Sequence, residues 1–348
     1  MKTRPLEGKS RERSIARQDP SGQLPPAPVS AAATQGHGVR LIEVPSEREG
    51  QRLDNWLLAL LKGVPKSHVY RLLRTGQVRV DGGRAKAEHR LAVGEKIRVP
   101  PVRQAAEPPP AVAPSHVLHA LAAQIVYEDR HFIALDKPSG LASHGGSGIL
   151  LGAIEQLRQL RPAEDLALVH RLDRDTSGIL LISRRRSALL KAQRALRDGH
   201  AHKRYLALLV GRMPRARMHV NQPLLKSALR GGERMVTVHP AGKASISEFK
   251  RLDQYKRTEF VEVRIETGRT HQIRVHAQYL GLPVAGDDKY GDEAANARLK
   301  KIGLDRLFLH AAELKLDFDD DTSLTLHAPL PAELTRVLDG LSGGRPQR

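Results

Sequence analysis

Asp173 sits in the stretch His170-Arg171-Leu172-Asp173-Arg174-Asp175-Thr176-Ser177-Gly178, where two carboxylates stand among arginines and a histidine. Turn residues (Thr176, Ser177, Gly178) lead into the apolar run Ile179-Leu180-Leu181-Ile182. A loop feeding a buried strand can hold a reactive side chain rigidly. An aspartate there, with cations around it, stays ionised and can act as a nucleophile or a base. An Arg–Asp surface pairing, which contributes little, would account for this loop taken alone.

Three other segments add chemistry. Asp136-Lys137-Pro138-Ser139-Gly140 reads as a strand ending in a turn, with Lys137 free to meet a phosphate. His202-Lys203-Arg204-Tyr205-Leu206-Ala207-Leu208 reads as a strand whose one tyrosine lies beside three cations. The ring of Tyr205 could stack on a base, and its hydroxyl could move a proton. Thr267-Gly268-Arg269-Thr270-His271-Gln272-Ile273-Arg274-Val275-His276 reads as a helix start with Thr270 at the N-cap. Free amides there suit an anion, and Arg274, one turn in, can grip a carboxylate. The two histidines are five apart, a poor spacing for a shared metal on one helical face, so no metal is expected. The glycine-rich Ser143-His144-Gly145-Gly146-Ser147-Gly148 lacks the pattern of a nucleotide-triphosphate loop.

The elements that position these groups can be read in outline. The 348 residues suit two domains, and 40% hydrophobic content is enough for real cores. Residues 1–38 have no apolar periodicity and read as a disordered basic tail. Residues 39–101 form a compact unit: Leu53, Trp56, Leu57, Leu60 and Leu61 recur at helical spacing, Val69, Leu72 and Leu73 mark a second helix, and a hairpin follows. Its polar face is cationic, with Lys66, Arg71, Arg74 and Arg79 prominent. Residues 102–120 are proline-rich and read as a linker or an extended segment. Residues 121–341 form one large domain, and 342–348 a short tail. Strands are expected at 179–183, 204–210, 245–250, 260–266 and 324–327, and helices at 150–160, 186–198, 270–280 and 331–340. Strands follow strands too often for strict alternation, so the class is α+β: a mixed, mainly antiparallel sheet with flanking helices.

Lys plus Arg number 57 against 38 Asp plus Glu, a formal charge of +19. That excess points to a polyanionic partner, with nucleic acid first. The chain has no cysteine, which excludes disulfides, thiolate nucleophiles and zinc–thiolate sites. No stretch of about 18 apolar residues occurs, and no apolar leader follows the basic N-terminus, so a soluble, cytoplasmic protein is expected.

Two resemblances follow from these residues. Residues 51–54, Ser67 to Gly82 and Val93 to Ile97 resemble the RNA-binding module first described in ribosomal protein S-four. The lysine–proline turn, His170 to Gly178, Lys203-Arg204-Tyr205 and Arg269 to His276 stand in the order found in the RluA family of pseudouridine synthases, which the chain resembles from about Val39 to Leu341. The resemblance implies the pseudouridine synthase fold and a cofactor-free isomerisation of uridines in large-subunit ribosomal RNA by a monomer. Asp173 matches the catalytic aspartate, attacking either the ribose anomeric carbon or the uracil ring. Arg274 matches the arginine that pairs with that carboxylate, and Tyr205 the tyrosine that stacks on uracil and helps remove the proton from carbon five. Arg171 matches the arginine that fills the gap left by the extruded nucleotide, and Ile273 an apolar wall of the pocket. Lys137, Arg269, Lys66, Arg71, Arg74 and Arg79 are the expected RNA contacts. Two alternatives stay open at this stage: a non-catalytic RNA-binding ribosome-assembly factor, and a nucleoside hydrolase with Asp173 as base.

Overall fold

The computed structural model describes residues 38–61, 63–102, 111–146, 149–226 and 235–343. The basic tail read over 1–38, save Gly38, and most of the tail after 341 lie outside the described residues. The chain divides into two compact units, Met1–Pro108 and Pro109–Arg348.

In the first unit, helices α1 (Leu53–Leu60) and α2 (Lys66–Arg74) accompany a four-stranded antiparallel sheet. Its strands are β1 (Arg40–Glu43), β2 (Arg79–Val80), β3 (Gly83–Arg84) and β4 (Lys96–Val99), in the order β1-β4-β2-β3. The helical spacing of Leu53, Trp56 and Leu57 puts them in one core with Val69, Leu72, Leu73, Val78, Ile97 and Val99. Asp54 at the start of α1 is buried: Arg52 Nη2 donates to it at 2.7 Å and the Tyr70 hydroxyl at 3.2 Å, tying α1 to α2. The Arg52 guanidinium holds the Asp54 carboxyl below the usual range.

The second unit is built on a ten-stranded sheet. Helix α3 (Ser115–Ala122) precedes the hairpin β5 (Ile125–Glu128) and β6 (Phe132–Lys137); then come α4 (Ala153–Leu160), β7 (Ala167–Leu168), β8 (Ser177–Ser183), α5 (Arg186–Arg197) and β9 (Ala201–Val210). Next are β10 (Arg217–Asn221), a small hairpin of β11 (Leu224–Lys226) and β12 (Val236–Val238), β13 (Ile246–Gln254) and β14 (Thr258–Ile265). Helices α6 (Gln272–Tyr279) and α7 (Glu293–Lys300), strands β15 (Leu309–Asp317) and β16 (Ser323–His327), and helix α8 (Ala332–Ser342) complete it. The main order is β10-β13-β14-β9-β15-β8-β6-β5, with β16 on β15 and β7 on β8. Its pairings are antiparallel except β15 with β8, so the expected mixed, mainly antiparallel α+β class holds.

Burial on both faces explains the continuous apolar strands. In β8, Ile179 and Leu181 enter a core with α5, while Leu180 and Ile182 enter the opposite core with α4. Phe132 and Ala134 of β6 go one way, Ile133 and Leu135 the other. Each fully buried Leu or Ile contributes roughly 1.5–3 kcal/mol. Gly178, at φ 107°, lets β15 approach: a Cβ there would collide with the backbone of Ala311, its partner in the parallel pairing.

The stretch 102–120 is not wholly a linker. The second unit begins at Pro109, and Ala111 and Ala113 hydrogen-bond to the Gln159 side chain of α4 just before α3 starts. Prolines masked a short helix whose Leu121 is buried against β6 and α4.

Candidate active site

Asp173 lies in the loop between β7 and β8, and that loop's backbone is held by hydrogen bonds from the end of β6 and the segment after it, mostly from side chains. Lys137 Nζ and the Gly140 amide both donate to the Arg174 carbonyl, at 2.9 and 3.0 Å. The Ser139 hydroxyl donates to the Asp175 carbonyl at 2.7 Å. The Ser143 hydroxyl donates to the Leu172 carbonyl at 2.8 Å and accepts the Leu172 amide at 3.0 Å. The Thr176 amide closes a turn on the Asp173 carbonyl at 3.2 Å. Thus the residues on both sides of Asp173 are clamped while its own side chain is left half-buried at a cavity.

This arrangement corrects the expectation for Lys137. The side chain is 0% exposed and donates three bonds, to the carbonyls of Pro138 (2.9 Å), Leu141 (2.7 Å) and Arg174. Burial pulls its pKa down to about 7. It sits on a strand covered on both faces, so its ammonium finds carbonyls and cannot reach an RNA phosphate.

Two cavities meet at Asp173. A cleft of about 1170 Å³ is lined by Ser139, His144, Arg171, Asp173, Arg174, His271, Arg274, Lys289 and Arg306, among others. A smaller pocket of about 70 Å³ is lined by Tyr205, Ile265, Ile273 and Leu309 on its apolar side and by Arg171, Asp173, Arg269, His271 and Arg274. Arg171, Leu172, Asp173, His271 and Arg274 border both. The site thus brings Asp173, Tyr205, Arg274, Arg171, Ile273 and Arg269 to one place and leaves Lys137 beneath it. Tyr205, on β9, packs between two cores. Burial, and then the charge of Asp173, raise the Tyr205 pKa above its ordinary value, so the phenol is protonated at neutral pH.

Helix α6 begins one residue later than its sequence suggests. The N-cap is His271, not Thr270, and it is left-handed (φ 54°, ψ 22°) with no side-chain cap. A non-glycine residue there costs of order 1–3 kcal/mol and marks sites held by their surroundings. Gln272 supplies that hold. Its Oε1 accepts from the Thr267 hydroxyl (2.7 Å) and the Arg269 amide (3.0 Å), and its Nε2 donates to the Ile246 carbonyl and the Ser247 hydroxyl.

Arg274 grips a carboxylate as expected, but its hydrogen-bonded partner is Asp287, not Asp173. Nε and Nη2 donate to the two Asp287 oxygens, both at 2.7 Å, with side chains 7% and 0% exposed. Asp287 is built for this: its Oδ1 also accepts the amides of Lys289 and Tyr290 at 2.9 Å. Asn296 of α7 holds the turn, accepting from the Gly286 amide and donating to the Asp287 carbonyl. Burial opposes the charged pair; the Arg274 bonds and charge nonetheless hold the Asp287 carboxyl below its usual range, and Arg274 rises. Asp173 contributes to Arg274 through its charge. Sequence spacing could not rank the two carboxylates, because only the fold shows which one is pre-organised by amides.

Two more groups of the site, His271 and Tyr290, had no role assigned from the sequence. His271 Nδ1 lies 2.8 Å from the Tyr290 hydroxyl, and Arg274 sits 5.1 Å over the Tyr290 ring. Gly286-Asp287-Asp288-Lys289-Tyr290-Gly291 carried a usable signal: an aspartate followed at two and three residues by amides it can cap, between glycines. In the first unit, Lys66, Arg71 and Arg74 stand on the exposed face of α2, opposite buried Val69, Leu72 and Leu73. Arg79 is exposed but commits Nε and Nη1 to the carbonyls of Gly76 and Gly82.

A mixed sheet that brings an aspartate and a tyrosine to one small pocket beside a wide cleft defines a class that the comparisons with known proteins identify. Residues 131–279 match the RNA pseudouridylate synthase family, and residues 51–97 match the S4 domain. The ribosomal large subunit pseudouridine synthase C of Escherichia coli K12 is 47% identical over 90% of this chain and 99% of its own length. That of Pasteurella multocida is 46% identical over 87% and 94%. Among solved structures, human RNA pseudouridylate synthase domain containing 4 aligns with a TM-score of 0.55 at 26% identity, covering 65% of this chain and 96% of that one. The chain belongs to the RNA pseudouridine synthase family and is an enzyme of that class.

Proposed function

We propose that this chain isomerises specific uridines of large-subunit (23S) ribosomal RNA to pseudouridine, with Asp173 as the catalytic carboxylate. The observation that carries the reading is Asp173 itself, clamped by its neighbours' backbone and shared by a wide cleft and a small pocket that has an apolar side and three arginines, Arg171, Arg269 and Arg274, around it. In this reading the cleft takes the RNA backbone and the pocket, with the cleft beside it, takes the flipped base. A uridine inside folded RNA must be flipped out at a cost of a few kcal/mol, which backbone contacts offset. The bond from ribose C1′ to uracil N1 breaks, the base turns, C1′ bonds to C5, the C5 proton leaves and N1 gains one. Asp173 attacks the anomeric carbon or the ring to start this exchange.

The other roles follow from position. Tyr205 and Ile273 wall the base; the protonated phenol of the free enzyme favours stacking, and removal of the C5 proton by it requires prior deprotonation. Arg171, exposed at the border of both cavities, fills the gap in the RNA. Arg274 stabilises the Asp173 charge from its seat on Asp287, and Arg269 lies at the rim for a phosphate. Lys66, Arg71, Arg74 and Arg79 give the first unit its RNA-binding face. The enzyme acts as a cytoplasmic monomer with no cofactor. Among the described residues no helix is long and apolar enough to cross a membrane. The test is to map pseudouridines in large-subunit ribosomal RNA from cells with and without this protein, and with Asp173→Asn restored. Sites lost in the deletion and not regained with Asp173→Asn support the reading; an unchanged map overturns it.

A further inference from the structure

His271 borders both cavities but plays no part in the chemistry described so far. Its hydrogen bonds fix which ring nitrogen carries the proton. The Tyr290 hydroxyl accepts the Val236 amide at 3.1 Å and lies 2.8 Å from His271 Nδ1. Tyr290 is 2% exposed, and among the described residues its hydroxyl proton has no other acceptor. Were Nδ1 protonated, that buried O–H would be unsatisfied. Tyr290 therefore donates to Nδ1, and the neutral ring carries its proton on Nε2. Burial pulls the His271 pKa down, which keeps the ring neutral. Tyr290 is itself fixed, through its amide on Asp287 and the Arg274 guanidinium over its ring. The left-handed backbone at 271 and the edge-on contact of the two rings (5.5 Å between centroids, 68°) give the imidazole one orientation.

We propose that His271 Nε2–H is a substrate-binding donor, aimed at an acceptor oxygen of the flipped nucleotide beside Asp173, with Tyr290 as the positioning residue that sets its tautomer. The proposal rests on the reading of Asp173 as the place where the uridine sits. A neutral donor suits that place: it binds an oxygen without adding a further cation beside Arg171, Arg269 and Arg274.

The test uses the full chain and a large-subunit ribosomal RNA transcript tritiated at uridine C5, with tritium release as the readout. His271→Asn keeps a residue that tolerates the left-handed backbone but shortens the reach. It is expected to lower kcat/KM at least tenfold, with the melting temperature falling only by the few degrees that the lost acceptor of the Tyr290 hydroxyl costs. His271→Gln, which restores a longer N–H donor, regains part of that loss. Imidazole nitrogen NMR of the wild type is expected to show the Nε2–H form, and Tyr290→Phe to lose it. Thio-substitution at the uracil carbonyls, compared with phosphorothioate at the flanking phosphate, distinguishes the acceptor: whichever slows the wild type but not His271→Asn names the oxygen, and an effect equal in both enzymes at every site overturns the proposal. It also falls if His271→Asn turns over like the wild type, or if the wild-type ring is protonated on Nδ1. A wild type inert on this RNA would instead overturn the ribosomal RNA reading on which the proposal stands.

Discussion

On α2 of the N-terminal unit, Lys66, Arg71 and Arg74 stand in solvent, whereas Arg274 and Lys137 of the C-terminal unit are almost wholly buried. The residue types are the same and the physical work is opposite. An exposed cation keeps its hydration and its rotamers, interacts over roughly a Debye length of 8–10 Å, and is screened by salt. It can attract RNA anywhere along a strand. A buried cation must find its partners inside the protein or remain uncompensated at a cost of several kcal/mol. Arg274 finds Asp287 and Lys137 finds three carbonyls, so both organise the loops around Asp173 rather than bind RNA directly.

The comparison can be broken at its strongest point first. Asp173→Asn is expected to lower pseudouridine formation by more than about a thousandfold while folding stability stays within about 0.5 kcal/mol, since its side chain carries the chemistry and not the packing. Tritium release and urea unfolding measure the two. Asp287→Ala should act in the opposite sense on stability, removing about 3–5 kcal/mol because Arg274 is then buried without its counter-charge. A melting temperature unchanged in that variant would mean that the guanidinium is solvated.

Lys137→Met separates positioning from RNA contact. Activity should fall through kcat as the clamp on Arg174 loosens, with the salt dependence of RNA binding as in the wild type. A shallower salt slope would return Lys137 to the list of phosphate contacts. The pH dependence sharpens the same point for a buried histidine. His310 is 0% exposed; Nδ1 accepts from Ser177, Nε2 donates to Ala328, and burial pulls its pKa down to about 4. The unfolded chain takes up that proton near the ordinary value, about 6.5. Stability from this group is therefore complete above about pH 6.5 and is lost as pH falls toward 4, roughly 2–3 kcal/mol by about pH 4.5. Urea unfolding across that range checks it, and His310→Gln should flatten the curve. The smallest effects belong to α2. Arg71→Ala or Arg74→Ala should each weaken RNA binding a few-fold, uniformly across sequences, and lower the slope of log K against log salt by about 1.

Much of this was readable from residue order alone. The strand after Gly178 was legible because Ile179 to Ile182 cannot be covered except from two sides, and α1 and α2 because leucines and valines recur at helical spacing. Strand β15 and helix α3 were not, since one carries charged residues at its alternate positions and the other follows a run of prolines. The pairing of Arg274 with Asp173 came from the family resemblance, and nothing in the residue order showed that the amides of Lys289 and Tyr290 pre-organise Asp287 instead. The lysine at 137 was misread because a cation beside a turn is ordinarily exposed.

What the amino-acid order determined by itself was therefore local: which segments fold, which faces are apolar, and which side chains are able to react. What the tertiary structure decided was the assignment of partners, namely Asp287 to Arg274, Tyr290 to His271 and the Arg174 carbonyl to Lys137. The reason is that hydrogen-bond and ionic partners are set by distance and direction between segments 13 to 37 residues apart in the chain, and by a low dielectric that exists only once the core has closed.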